Sequence, residues 1–206
     1  MTLKTNKLAN PFRYIAGGRA LWWGVPAIAA GSVLLWSSHM VQDSLIHFTF
    51  ARLPLWQVAA WQSALWLLTA LPLWTAGTLL SRSRVRLIDL LGTSALCQWL
   101  ITALCLPGCL PPVRSALSDA ARLFGNLPAT EAPIAATATE HFRSAAGAWL
   151  LLDGVWSLLF LALYLLYLYR AYALCCNLSG AKAVTSYAVT MLAAGIASRF
   201  LYSWIY

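Results

Sequence analysis

Acidic residues are scarce in this chain: six Asp and Glu against fourteen Lys and Arg among 206 residues, with charged residues of both signs only 10% of the total. An ordinary soluble domain carries about 25% charged residues, so most of this chain lacks the polar surface that water requires. No polar extramembrane domain and no low-complexity linker interrupts it. Catalytic signatures are missing as well. There is no Walker A motif, no G-x-S-x-G, no dinucleotide-binding G-x-G-x-x-G, no C-x-x-C and no H-E-x-x-H. The expectation is therefore a non-enzymatic protein with no cofactor.

What the chain does have is apolar length. Hydrophobic residues make up 61%, and a membrane-spanning helix needs roughly 20 predominantly apolar residues in a row. Five segments satisfy this, approximately 20–38, 55–80, 87–110, 147–170 and 183–205. The fold class expected is an all-α polytopic membrane bundle forming a single domain over 1–206. Pro26 and Pro72 fall inside the first and second spans, where each removes a backbone hydrogen bond and favours a kink. A basic N-terminal stretch ahead of an apolar run resembles a signal peptide. However, Trp22, Trp23 and Trp36 frame that run as an aromatic belt frames an anchored span, so it is read as retained.

The net charge of +8 does not point to nucleic acid, because the cations sit in short groups between apolar runs. They read as topology signals. Counting Lys and Arg on alternate sides gives nine on the side of the N-terminus and four on the other, with Arg199 left inside the last span. The positive-inside rule then puts the N-terminus in the cytoplasm and Tyr206 outside, with a bacterial inner membrane as the expected location. The third connection is too long for a hairpin. Between residues 112 and 125, Val113, Ala116, Leu117, Ala120, Leu123 and Phe124 recur at helical spacing, with Arg114, Ser118, Asp119 and Arg122 on other positions, as in an amphipathic helix at the membrane surface. Residues 126–133, with two prolines, read as a turn region, and 134–143 as a second short helix.

Ionisable residues within spans are expensive and mark candidate sites. Asp153 and Arg199 each lie about six residues from the outer end of their spans, roughly 9 Å deep at 1.5 Å per residue. Matching depth predicts an ion pair between them, since neither charge alone is stable in hydrocarbon. Arg82, Arg84 and Arg86, followed by Asp89 in the first turn of span three, suit contact with anionic lipid headgroups. His39, Asp43 and His47 are spaced by four, so a continuous helix would align three metal-ligand types on one face. No metal is assigned there, because such a site needs supporting partners that the sequence does not identify. Five cysteines, an odd number, lie in or beside apolar runs at 97, 105, 109, 175 and 176, and read as small packing residues. Gly17, Gly18, Gly147, Gly154 and Gly195 are candidates for close helix packing.

Asn10-Pro11-Phe12-Arg13, the run Arg86-Leu87-Ile88-Asp89 with Gly92-Thr93, and the stretch from Cys176 through Asn177, Leu178, Ser179, Gly180, Ala181 and Lys182 to Ala183 resemble the Yip (Ypt-interacting protein) domain family, in its short prokaryotic-like branch. At Cys97-Gln98-Trp99 many relatives carry a proline. The resemblance implies a five-span helical bundle and, in eukaryotic members, a trafficking role through Rab-type GTPases. This sequence has no long cytosolic N-terminal arm of the kind those members carry, so GTPase binding is not carried over, and no catalytic residue transfers. The leading expectation is a non-enzymatic membrane scaffold or interaction protein whose partners are lipids, further copies of the chain or other membrane proteins; the alternative is a small transporter, channel or lipid-handling protein built on the Asp153–Arg199 pair, with Gln98 as a further candidate.

Overall fold

The structure, a computed structural model, describes residue 12 and residues 15–81, 83–125 and 144–206. Asn10, Pro11, Arg13, Arg82, His141 and Arg143, the turn region at 126–133 and the short helix expected over 134–143 lie outside the described residues. The element order is α1 (Gly17–Ser37), a hairpin of β1 (Met40–Gln42) and β2 (Phe48–Phe50), α2 (Leu55–Leu80), α3 (Leu87–Leu104), α4 (Pro111–Gly125), α5 (Ala145–Cys175) and α6 (Gly180–Ile205). All of these helices except α4 are long and apolar enough to cross a membrane. Successive spans alternate in direction, so the hairpin, α4, the start of α5 and the end of α6 gather at one end of the bundle.

The third span stops earlier than the apolar run does. Its helix closes at Leu104, with Cys105 as the cap, and a 3-10 turn over Pro107–Cys109 follows. Pro107 disfavours helical backbone in the residue before it and cannot donate a helical hydrogen bond. Amphipathic α4 then begins at Pro111, one residue before the start read from the sequence. Its buried side holds Val113 and Ala116, two of the apolar positions read from the sequence.

Close packing concentrates between α1 and α3, the most extensively contacting pair of helices. In lipid, helices gain little from apolar burial and rely on small residues that let backbones approach. Gly24 lies against Ala95 and the backbone of Leu96, so closely that a Cβ at residue 24 has no space. Gly92 sits likewise against the carbonyl of Gly17. Thr102 Oγ1 donates across the same seam to the Ala27 carbonyl at 2.8 Å. By contrast, Gly154 on α5 faces open space. Helix α2 packs on α1 and α6, α5 packs on α3, and α5 and α6 touch each other lightly.

The stretch at 176–180 is a stop and a restart. Asn177 takes a positive φ of 49° past the end of α5, its N–H reaches the Leu174 carbonyl at 3.3 Å, and the Leu178 N–H reaches Ala173 at 3.0 Å. These two bonds are those of a Schellman cap, which satisfies carbonyls the helix end leaves free. Most of the exposed tryptophans stand near the ends of the spans, Trp22 and Trp23 on one side and Trp36, Trp56, Trp149 and Trp204 on the hairpin side, while Trp99 and Trp156 lie within spans. Amphipathic aromatic rings favour the two membrane interfaces, and this distribution fits a protein that spans one.

Candidate functional site at the hairpin end

The first connection is not an extension of α1. The helix ends at Ser37, His39 adopts a positive φ of 56°, and the chain turns into an antiparallel pair with Met40 opposite Phe50, Val41 opposite Thr49 and Gln42 opposite Phe48. This hairpin was not read from the sequence. Its signal was the short apolar runs Met40-Val41 and Phe48-Thr49-Phe50 flanking Asp43-Ser44, which is too brief to compete with the long apolar helices around it.

Buried polar side chains fix the hairpin to α2. The Trp61 indole N–H donates to the Gln42 carbonyl at 2.6 Å, and Gln62 Nε2 donates to Gln42 Oε1 at 3.0 Å. Gln42 Nε2 in turn donates to the Leu45 carbonyl at 3.0 Å. All three side chains are buried. Such a network is stable only when its members are satisfied, and this one fixes the position of the loop at residues 43–47.

That loop supplies the carboxylate for Arg199. Arg199 Nη1 lies 2.7 Å from Asp43 Oδ2, and His47 Nδ1 lies 2.7 Å from Asp43 Oδ1. The expected Asp153–Arg199 pair is thereby corrected. Position along the spans does not reveal that the hairpin loop reaches α6 and supplies Arg199 with the carboxylate of Asp43 instead. Arg199 Nη1 is also 3.0 Å from His47 Nδ1. One ring nitrogen cannot both donate to Asp43 and accept from Arg199. The carboxylate is the stronger acceptor, so Nδ1–H points to Asp43 and the Arg199 guanidinium approaches the ring without a hydrogen bond to that nitrogen.

The alignment of His39, Asp43 and His47 is corrected too. Asp43 and His47 meet across the loop, whereas His39, past the helix end, lines a different cleft. Among the described residues no group of three His, Cys, Asp or Glu side chains is placed to hold a metal. Asp153 lines a cavity of about 250 Å³ together with His47, Ser38, Cys105 and Ser157. Gln98 is buried on α3, away from the residues lining that cavity. Arg84 and Arg86 are exposed at the opposite end of the bundle, before α3, and Asp89 stands in the first turn of that helix. The cysteines are all free; Cys97, Cys105 and Cys176 are buried, and Cys109 and Cys175 are partly so.

A large concavity among the described residues is a laterally open groove of about 760 Å³ along α6. Its walls are apolar: Leu45 and Ile46 of the loop, Leu165 of α5, and Met191, Leu192 and Ile196 of α6. Gly195 keeps it open opposite Leu45. Arg199 closes its hairpin end, where the guanidinium is held by Asp43. A slot that is apolar along its length and ionic at one end has the polarity of an amphipathic lipid. No family model, no curated protein and no solved structure matches the chain.

Proposed function

We propose that this protein is a non-enzymatic lipid-handling membrane protein that holds one amphipathic lipid on α6. The acyl chain lies along Leu165, Met191, Leu192 and Ile196, and the polar end lies at the Arg199–Asp43–His47 cluster. The observation that carries this reading is the groove of about 760 Å³ with apolar walls and an ionic mouth. Apolar grooves open to the bilayer fill with acyl chain, and a fixed charge at one end gives the occupant a direction.

The scaffold reading keeps less support. It requires small residues on an outward face, and Gly24, Gly31, Gly92 and Gly77 are instead occupied by contacts within the chain. Membrane partners of the scaffold kind would have to dock on Gly154 or on the leucines of α5. The Yip-like resemblance fits a five-span bundle of this kind, and its Cys176–Ala183 signature coincides with the cap between α5 and α6. We place the protein in a bacterial inner membrane with its N-terminus cytoplasmic and the hairpin outside, on the strength of the charge count and the positive-inside rule.

The test is lipid-dependent stability. Delipidated protein should rise in thermal stability on addition of a long-chain phospholipid, as expected when a ligand binds the folded state alone. Filling the groove with Gly195→Trp should remove most of that rise while leaving the helical content unchanged. Equal stabilisation of both proteins would point away from the groove.

A further inference from the structure

The hairpin end carries a second concavity, of opposite character, between the end of α1, the segment after β2 and α4. This cleft, about 650 Å³, is lined by His39, Arg52, Arg114, Ser118 and Arg122 among others. Residues 114, 118 and 122 are spaced by four and share one face of α4, the face turned to the cleft. Arg114 Nη1 donates to the Ser37 carbonyl at 3.3 Å, a contact that spends one of its five N–H donors. Among the described residues no carboxylate lines the cleft, and the ion pairs formed are those of Asp43 with Arg199 and His47. Asp119 is exposed on α4 and outside the lining, about 100° around the helix from Ser118.

Three guanidinium groups facing one cavity, with no counter-charge among the described residues, repel one another and are stable together when an anion joins them. Their location makes the point stronger. The hairpin end is the cation-poor side of the chain, with four Lys and Arg against nine, and cations on that side work against topology. Three of those four meet in this cleft. Guanidinium forks match phosphate oxygens in pairs, and a surface arginine attracts an anionic lipid by about 1 kcal/mol.

We propose that the Arg52–Arg114–Arg122 cleft is a binding site for a phosphate-bearing anion, and that its occupant is the headgroup of an anionic phospholipid. Amphipathic α4 lays its apolar side on the bundle and presents the arginines at the level where headgroups lie. The acyl groove on α6 is lined by other residues, so the two sites are separable by substitution.

The experiment is native mass spectrometry of the full chain in nonionic detergent, titrated in parallel with phosphatidylglycerol, phosphatidylcholine and inorganic phosphate. The wild-type chain should retain phosphatidylglycerol at least tenfold better than phosphatidylcholine. Arg52 and Arg122 are exposed, so Arg52→Gln with Arg122→Gln should fold, and this double variant should lose on the order of tenfold in phosphatidylglycerol affinity with phosphatidylcholine unchanged. Circular dichroism confirms folding, and Arg52→Lys with Arg122→Lys, which keeps the charges, should retain more affinity than the glutamine pair. Gly154→Ala, which faces open space and lies outside the lining of both the cleft and the groove, should leave the preference in place. An unchanged preference in the glutamine pair, or a wild-type chain with no preference, overturns the proposal. Displacement of the lipid by equimolar inorganic phosphate overturns the lipid assignment in favour of a soluble anion.

Discussion

Arg199 on the last helix and Asp43 in the loop of the hairpin form an ion pair, with Nη1 and Oδ2 2.7 Å apart. The pair is unequal. The Asp43 side chain is 5% exposed and that of Arg199 57%, so the carboxylate depends on its partners while the guanidinium retains access to polar surroundings. Residues 156 positions apart in sequence are thus linked, and the loop between the first two spans is fastened to the fifth.

The inequality sets the order of mutational effects. Arg199→Gln strands a buried carboxylate and should cost about 2 kcal/mol of stability, more than Asp43→Asn, which strands a half-exposed cation. The double variant should show a coupling of about 1 kcal/mol in thermal unfolding in detergent, and Asp153→Asn should add to Arg199→Gln within about 0.5 kcal/mol. A large coupling for the second pair would restore Asp153 as the partner.

Trp61 tests the polar network beneath the hairpin. Trp61→Phe removes the indole N–H that donates to the Gln42 carbonyl and leaves that buried oxygen without its donor, a loss of about 1 to 3 kcal/mol. Amide hydrogen exchange should rise at residues 40–50 before it rises in α1 or α3. Uniform loosening of the whole bundle would contradict the assignment of Trp61 to the hairpin.

The glycines separate structural from silent positions. Gly24→Ala should destabilise by about 1 to 3 kcal/mol, since its Cβ would run into Ala95 across the α1–α3 seam. Gly154→Ala meets nothing and should be neutral or stabilise by up to about 1 kcal/mol, through helix propensity. Thermal unfolding of the two variants in one detergent reads both, and similar values would argue against the seam as the tight interface.

Much of this fold is legible in the sequence. The spans follow from apolar length, and the 55–80 segment coincides with α2 because Pro54 and Ser81 bound it on both sides. Span three was overread to 110 because hydropathy counts Cys105, Leu106 and Leu110 as apolar and is blind to the backbone restriction Pro107 imposes. The candidate site was half legible. Arg199 is visible as a charge in a span, and the spacing of His39, Asp43 and His47 brings Asp43 and His47 together only for a continuous helix, which the chain does not form there. Their true arrangement depends on a hairpin whose strands are three residues each, fixed by Gln42, Trp61 and Gln62. Nothing local in a sequence reveals a long-range contact of that kind. The groove was invisible for a related reason, since it arises from the spacing of α5, α6 and the loop rather than from a run of residues.

A lipid held in the α6 groove would lay its chain between Leu45 and Leu192. Photo-crosslinking tests it most directly, with the protein in bilayers containing a trace of phospholipid that carries a diazirine midway along one acyl chain, and peptide mapping of the adducts. We predict adducts concentrated at Leu165, Met191, Leu192 and Ile196, and lost in Gly195→Trp. Labelling spread evenly over the outward leucines of α5 and α6, and unchanged by Gly195→Trp, would contradict the claim and reduce the groove to ordinary lipid-facing surface.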